Sequence, residues 1–135
     1  MERIKTNLCH GYFLNEVKSN ILFTYWYGAW NFETACVWAE NYISLAKPLS
    51  HAPWANLVDL THWDLGIPEI DNVVKETNVW CDQNNLTCEV VVCSLYTQGE
   101  LAKGTHELLN NVNTKIVTEE KEAISWLNEK GFRVS

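Results

Sequence analysis

The sequence lacks the features that mark secreted, membrane and nucleic-acid-binding proteins. Its first residues contain no apolar core of the length that a signal peptide needs, and no later stretch approaches the roughly 20 apolar residues of a membrane span. The ten Lys and Arg residues are scattered from Arg3 to Arg133, and the net charge is −7, which disfavours nucleic acid and anionic membranes as partners. These absences predict a soluble, cytoplasmic protein.

Cysteine chemistry has little support in the pattern. The five cysteines form no C-x-x-C pair, and their odd number argues against a disulfide framework. In a reducing cytosol they are most simply small core side chains. Cys9, beside His10 in a polar segment, is the cysteine best placed to react or to bind a metal. We expect no metal site and no cofactor.

Apolar and aromatic residues are plentiful. Hydrophobic residues make up 47% of the 135 residues and charged residues 20%, which predicts one globular domain spanning residues 1–135. There are seven tryptophans, and a small domain can hardly enclose so many large rings. The core could hold them only where they take the place of Leu and Met. Either some of them line a pocket or an interface, or they fill the core.

Strand patterns recur along the chain. Residues 10–17 and 20–30 are rich in β-forming residues and flank a polar turn, which predicts an antiparallel hairpin. Residues 55–60 form the next predicted strand. The run CEVVVCS at residues 88–94 is nearly continuous in apolar residues, as expected of a central strand covered on both faces. A short strand, TKIVT, is predicted at residues 114–118.

Helices are predicted between these strands. Asn31 is a good N-cap for a helix that Pro48 ends, and Pro68 suits the first turn of the next helix. Thr97 is expected to cap a third helix, and the last helix is expected to stop at Gly131 in a Schellman cap. The order β-β-α-β-α-β-α-β-α predicts an α/β fold: a mixed sheet of about five strands with an N-terminal antiparallel hairpin and about four helices.

This order of elements, together with WANLVDLTHWDLGIPEIDNVV (54–74), CEVVVCS (88–94) and EKEAISWLNEKG (120–131), resembles the STAS domain (sulphate transporter and anti-sigma factor antagonist). Within that group the chain is most similar to the SpoIIAA-like branch of small stand-alone bacterial proteins. The resemblance extends from about Gly11 to Phe132. It implies the α/β fold described above and a regulatory, non-enzymatic role.

The family's regulatory switch does not carry over to this sequence. In the family, a Ser or Thr that follows an Asp at the head of a helix accepts a phosphate, whose charge of roughly −1.5 to −2 can block the docking of a partner kinase. The corresponding stretch here is residues 64–68, DLGIP, which contains no hydroxyl, and Thr61 lies upstream of Asp64. This departure argues against a working anti-sigma antagonist.

The candidate site lies where the central strands end. Ligands of open α/β sheets tend to meet the carboxyl ends of parallel strands, and the loops at residues 59–66 and 94–99 are expected to be neighbours there. Their side chains predict a site for a protein partner or a small apolar ligand, with Trp54 as a further aromatic wall. The candidate ligand-binding residues are Thr61, His62, Trp63, Asp64, Ser94 and Tyr96.

Two alternatives remain open. A small hydrolase or transferase could use His62, Asp64 and Ser94, although Ser94 lacks the G-x-S-x-G elbow that exposes such a nucleophile. A purely structural dimer is the other alternative. In either the binding or the structural reading, Tyr25 and Trp26 on a predicted edge hairpin could pair with a second copy, which predicts a homodimer.

Overall fold

A computed structural model describes residues 3–5, 11–94, 96–107 and 109–134, with the backbone alone at residues 3–5, 96, 97 and 105. Cys9 and His10 lie outside the described residues. The elements follow the order β1-β2-β3-α1-β4-α2-β5-α3-β6-α4. The α/β fold class predicted from the sequence is confirmed, with one short additional strand, β1, before the predicted hairpin.

The six strands found in the described part of the chain belong to one mixed sheet, in which spatial order equals chain order. The pairs β1–β2 and β2–β3 are antiparallel, whereas β3–β4, β4–β5 and β5–β6 are parallel. The predicted hairpin therefore forms, and β3 joins it to the parallel part of the sheet. The strand bounds are β1 Arg3–Lys5, β2 Tyr12–Lys18, β3 Ile21–Trp30, β4 Trp54–Gly66, β5 Leu86–Val92 and β6 Asn113–Val117.

The helices are α1 Phe32–Ala46, α2 Ile70–Gln83, α3 Tyr96–His106 and α4 Glu120–Glu129. The Asn31 side chain caps α1, because its Oδ1 accepts a hydrogen bond from the Thr34 backbone N–H at 2.9 Å. Gly131 ends α4 with a φ of 95°, and the Phe132 N–H donates to the Leu127 carbonyl at 2.9 Å, as in a Schellman cap. Because α3 begins at Tyr96, Thr97 lies inside the helix, and its predicted role as the cap is wrong.

The two faces of the sheet have separate cores. Successive right-handed crossovers from β3 to β6 run in one direction, so they place α1, α2 and α3 on the same face, and α4 covers the other. The three-helix face is packed by tryptophans, among them Trp26, Trp30 and Trp38. The α4 face is packed mainly by aliphatic side chains, with Val90 and Leu127 fully buried.

Strand β4 is twice as long as expected, because the predicted loop at residues 59–66 continues the strand. It stays paired with β3, with Tyr27 opposite His62 and Trp30 opposite Gly66. The register shifts twice in this stretch, so β4 carries two extra residues as bulges, and Leu65 adopts a φ of 73°. Pairing with the long strand β3 thus outweighs the turn-forming preference of residues such as Asp59.

Candidate functional site

The two segments predicted to surround one site are neighbours at the carboxyl ends of β4 and β5. The fully buried side chain of Gln98, in the first turn of α3, ties them together. Its Nε2 donates to the carbonyl oxygens of Leu60 at 2.7 Å and Trp63 at 2.8 Å, and its Oε1 accepts from the Ser94 backbone N–H at 3.3 Å. The expected opening between the strand ends is therefore filled by Gln98, a residue that no sequence pattern indicated.

Five of the six predicted site residues have described side chains, and these divide into a buried and an exposed group. Trp63 is 5% exposed and packs in the tryptophan core, whereas Tyr96 is the first residue of α3 and its side chain lies outside the described part. The exposed members of the set are Thr61, His62, Asp64 and Ser94. The structure thus separates an exposed strand end from the buried Trp63.

The His62 ring lies flat on a tyrosine ring instead of facing a nucleophile. It stacks on Tyr27 with centroids 5.7 Å apart and planes within 5°, and Tyr27 in turn stacks on Tyr12 at 4.6 Å. No hydrogen bond among the described residues joins His62 to Asp64 or Ser94. The geometry therefore offers no assembled Ser-His-Asp arrangement.

Other aromatic residues also differ from expectation. Strand β3 is interior, and Trp26 is 5% exposed, so the predicted edge pairing through this residue is wrong. Tyr25 donates its hydroxyl to Glu120 Oε1 at 2.6 Å, and burial together with this carboxylate raises the pKa of Tyr25. Trp54 is fully buried at the start of β4, at the opposite end from the predicted site.

A partly enclosed cavity of about 50 Å³ lies between the sheet and helices α1, α2 and α3, deeper than the predicted opening. That volume has room for roughly three or four water molecules. Four aromatic side chains form much of its wall: Trp26, Trp38, Tyr42 and Trp63. Such a cavity, with apolar walls and a few polar groups, has the composition of a small-ligand site.

The polar groups of the cavity centre on Glu89, a residue of β5 that is 4% exposed. Asn56, opposite it on β4, donates from Nδ2 to Glu89 Oε1 at 2.7 Å. His106, at the end of α3, places Nε2 3.1 Å from Glu89 Oε2, within ion-pair range although not aligned for a hydrogen bond. A buried carboxylate is costly unless it has such partners, so this side chain is held in place by two elements.

Two buried polar atoms on the cavity wall have no hydrogen-bond partner among the described residues: Asn56 Oδ1 and Trp63 Nε1. The orientation of the Asn56 amide follows from its neighbour, since only Nδ2 can donate to the Glu89 carboxylate. Trp26 and Trp38, by contrast, both donate their indole N–H to Thr24 Oγ1. Because buried donors and acceptors are nearly always paired, the two unpaired atoms indicate a place for a ligand or ordered water.

The remaining wall is electrically neutral on the side of α1. The Cys81 thiol contacts the Tyr42 hydroxyl, with Sγ 3.7 Å from Oη. Burial is the main cause that raises the pKa of both groups, and the nearby Glu89 carboxylate raises them further. Both side chains therefore stay protonated, and Tyr42 presents a neutral surface to the cavity.

Two residues of the sequence carry a signal for this site. Glu89 interrupts the apolar run CEVVVCS, which is expected to be a covered central strand, and Asn56 interrupts the predicted strand ANLVDL. A charged residue in such a strand is almost never left without a partner. Pairing these two interruptions across neighbouring strands would have pointed to the cavity, whereas the contribution of His106 depends on where α3 ends.

Solved structures share this architecture. An uncharacterised protein of the DUF3478 family with a SpoIIAA-like fold, from Shewanella loihica PV-4, superposes with a TM-score of 0.69 at 13% identity, over 92% of this chain and 98% of its own. An anti-sigma factor antagonist from Mycobacterium paratuberculosis has a TM-score of 0.60 at 11% identity, over 87% of this chain and 94% of its own. The chain has the SpoIIAA-like fold. The fold expected from the resemblance to STAS domains is thus confirmed.

Sequence comparison adds no closer relationship to this SpoIIAA-like chain. No protein-family model matches it, and no curated protein matches it in sequence. Within the described residues, none of the helices has the length and apolar character required to cross a membrane.

Proposed function

We propose that this protein is a non-enzymatic SpoIIAA-like regulatory module that binds a small ligand in the cavity between the sheet and helices α1–α3. The observation that carries the proposal is the pair of unpartnered buried atoms, Asn56 Oδ1 and Trp63 Nε1, on the wall of an aromatic cavity. A ligand that pairs with both atoms removes two desolvation costs, each about 1–3 kcal/mol. The proposed ligand site thus lies beneath the strand ends where the sequence predicted a site. Trp63 belongs to the predicted site and to the cavity.

Ligand-observed NMR with a panel of fragments of about three to five non-hydrogen atoms, the size that a cavity of about 50 Å³ can enclose, tests this proposal. Ala102 lines the cavity from α3, and Ala102→Leu adds an isopropyl group that fills it. Leu101→Ala is the matched control, because Leu101 is the neighbouring residue on the same helix and is exposed. We expect fragments to bind the wild type and the control but not the filled variant.

Circular dichroism confirms that the variants fold, since overpacking costs about 1–3 kcal/mol. Native mass spectrometry of freshly purified protein adds an independent reading, as it reports retained mass and subunit number together. Absence of fragment binding to the wild type, or equal binding to Ala102→Leu, contradicts the proposal. The homodimer stays a prediction that the same spectra measure.

A protein partner is the second candidate, and the structural similarity to an anti-sigma factor antagonist favours it. Such a partner would contact the exposed strand end that carries His62 and Asp64. The missing phosphate acceptor in residues 64–68 argues for a partner that is not controlled by phosphorylation at this position. Replacing His62 with Ala is expected to weaken the partner complex while leaving the cavity ligand bound.

A further inference from the structure

The tryptophans of the cavity are arranged as a box. Trp30 stacks on Trp26 with centroids 4.1 Å apart and planes at 22°, so it covers one face of Trp26. Trp38 and Trp63 each lie 5.0 Å from Trp26, with planes at 71° and 83° to it. Their centroids are 6.0 and 6.3 Å from Trp30, too near for either ring to lie above the second face of Trp26. The uncovered face of Trp26 therefore forms one side of the box, and the Trp38 and Trp63 rings stand steeply at its edges.

Tyr42 continues this enclosure beyond Trp38, at a centroid distance of 5.1 Å. The faces of indole and phenol rings carry negative potential, which attracts organic cations. Tyr42 remains neutral because burial raises the pKa of its hydroxyl, so it contributes a ring face and no charge. Several such faces around one small volume are the arrangement by which proteins recognise alkylated ammonium groups.

The charges on the cavity wall also favour a cationic ligand. Glu89 and Asp71 are acidic, and none of the described side chains that line the cavity is basic. His106 faces Glu89 from α3 and carries a positive charge only when its imidazole is protonated. Two carboxylates against at most one positive charge leave the wall with a negative balance, which disfavours an anionic ligand.

We infer that the cavity binds the alkylated ammonium head of a small organic cation in the tryptophan box beside Glu89, while the rest of the ligand extends through the open side of the cavity. This inference rests on the proposed function and names the ligand class. The unpaired donor Trp63 Nε1 and acceptor Asn56 Oδ1 match a neutral group that both donates and accepts, such as a hydroxyl close to the ammonium. A cation without its hydration shell gains most from aromatic faces in such a buried site.

Choline and 3,3-dimethyl-1-butanol test the inference directly. The two molecules have the same shape and hydroxyl, but carbon replaces nitrogen in the second, so they differ in charge alone. In isothermal titration calorimetry with the wild type, choline is expected to bind at least about 10-fold more tightly. Equal or tighter binding of the neutral alcohol, or no binding of choline, overturns the inference.

Two variants locate the bound cation. Glu89→Gln keeps the size of the side chain but removes its charge, and we expect at least about a 10-fold loss of choline affinity with little change for the neutral alcohol. Trp63→Phe keeps a ring but removes the N–H, and we expect a loss of several-fold for both molecules. Choline affinity that neither variant alters overturns the inference, because the cation then binds elsewhere. The comparison of the two ligands on the wild type needs no variant to fold.

The outcomes also separate this inference from the proposed function. If neutral fragments bind the wild type and are excluded by Ala102→Leu while choline does not bind, the cavity is a ligand site of another chemical class. In that case the cation assignment fails and the proposed function stands. If no fragment and no cation binds, both fail.

Discussion

The contact between Glu89 and His106 allows a sharp test of the buried polar cluster. Both side chains are nearly inaccessible, at 5% and 9% exposure, and their atoms lie 3.1 Å apart. His106→Leu leaves the Glu89 carboxylate with Asn56 Nδ2, at 2.7 Å, as its donor. Breaking a buried pair costs about 3–5 kcal/mol, and because one donor remains we expect the lower end, about 3 kcal/mol.

The double variant Glu89→Leu/His106→Leu is expected to recover part of this loss. Glu89→Leu alone leaves the Asn56 amide unpaired, which should lower the free energy of unfolding by about 2 kcal/mol. With both residues apolar the unpaired carboxylate is gone, so the double variant should be less destabilised than the sum of the single variants, with a coupling energy of about 2–3 kcal/mol. Guanidinium unfolding followed by circular dichroism measures all four proteins, provided that the m-values agree.

The exposed pair Lys103–Glu100 on the same helix is the control for this cycle. Its atoms are 3.4 Å apart, but the side chains are 66% and 47% exposed. A cycle with alanine at both positions should give less than about 0.5 kcal/mol. If the Glu89–His106 cycle gives no more than this control, then Glu89 is not a buried charge in need of a partner, and the electrostatic part of the ligand argument is refuted.

Three further predictions concern other parts of the molecule. Gly66→Ala should destabilise the protein by about 1–3 kcal/mol, because an added Cβ would lie 2.6 Å from the Trp30 carbonyl oxygen. Gly104→Ala should instead stabilise α3 by about 0.5–1 kcal/mol, since a Cβ added there meets none of the described atoms within 4 Å. Thermal unfolding that ranks the two variants in the opposite order contradicts this reading. Burial raises the pKa of the Cys81 thiol, so iodoacetamide at pH 8 should label this residue only after the protein is unfolded. Peptide mapping measures the labelling, and rapid labelling of the native protein would contradict the prediction. His62→Ala should change the unfolding free energy by less than about 1 kcal/mol and leave choline affinity intact, whereas a loss of binding would place the ligand at the strand end.

The element order could be predicted because its signals are local. Asn31 as an N-cap, Pro48 after α1 and Gly131 at the end of α4 each act within one helical turn, and all three occur where expected. The length of β4 could not be predicted in this way. Residues 59–66 carry turn-forming side chains, and they become a strand because β3 extends far enough to pair with them.

The sequence predicted that the ends of β4 and β5 meet, but it did not predict the cavity beneath them. Strand ends were expected to meet, and they do, yet the contact is made by the buried Gln98. Glu89 was hidden in an apolar run because a strand pattern alone does not show which partner reaches each side chain. The unpaired atoms of Asn56 and Trp63 are likewise visible only when the neighbouring strands and helices are in place.

The sequence by itself determined the order of the helices and of the strands after β1, the caps at Asn31 and Gly131, and the mixed sheet, because these follow from hydrophobic period and from the chemistry of single residues near helix ends. Tertiary structure alone decided that Trp26, Trp38 and Trp63 enclose one small volume and that Glu89, Asn56 and His106 meet at its wall. Those residues come from different strands and helices. Their juxtaposition depends on register and crossover packing, which no local pattern encodes.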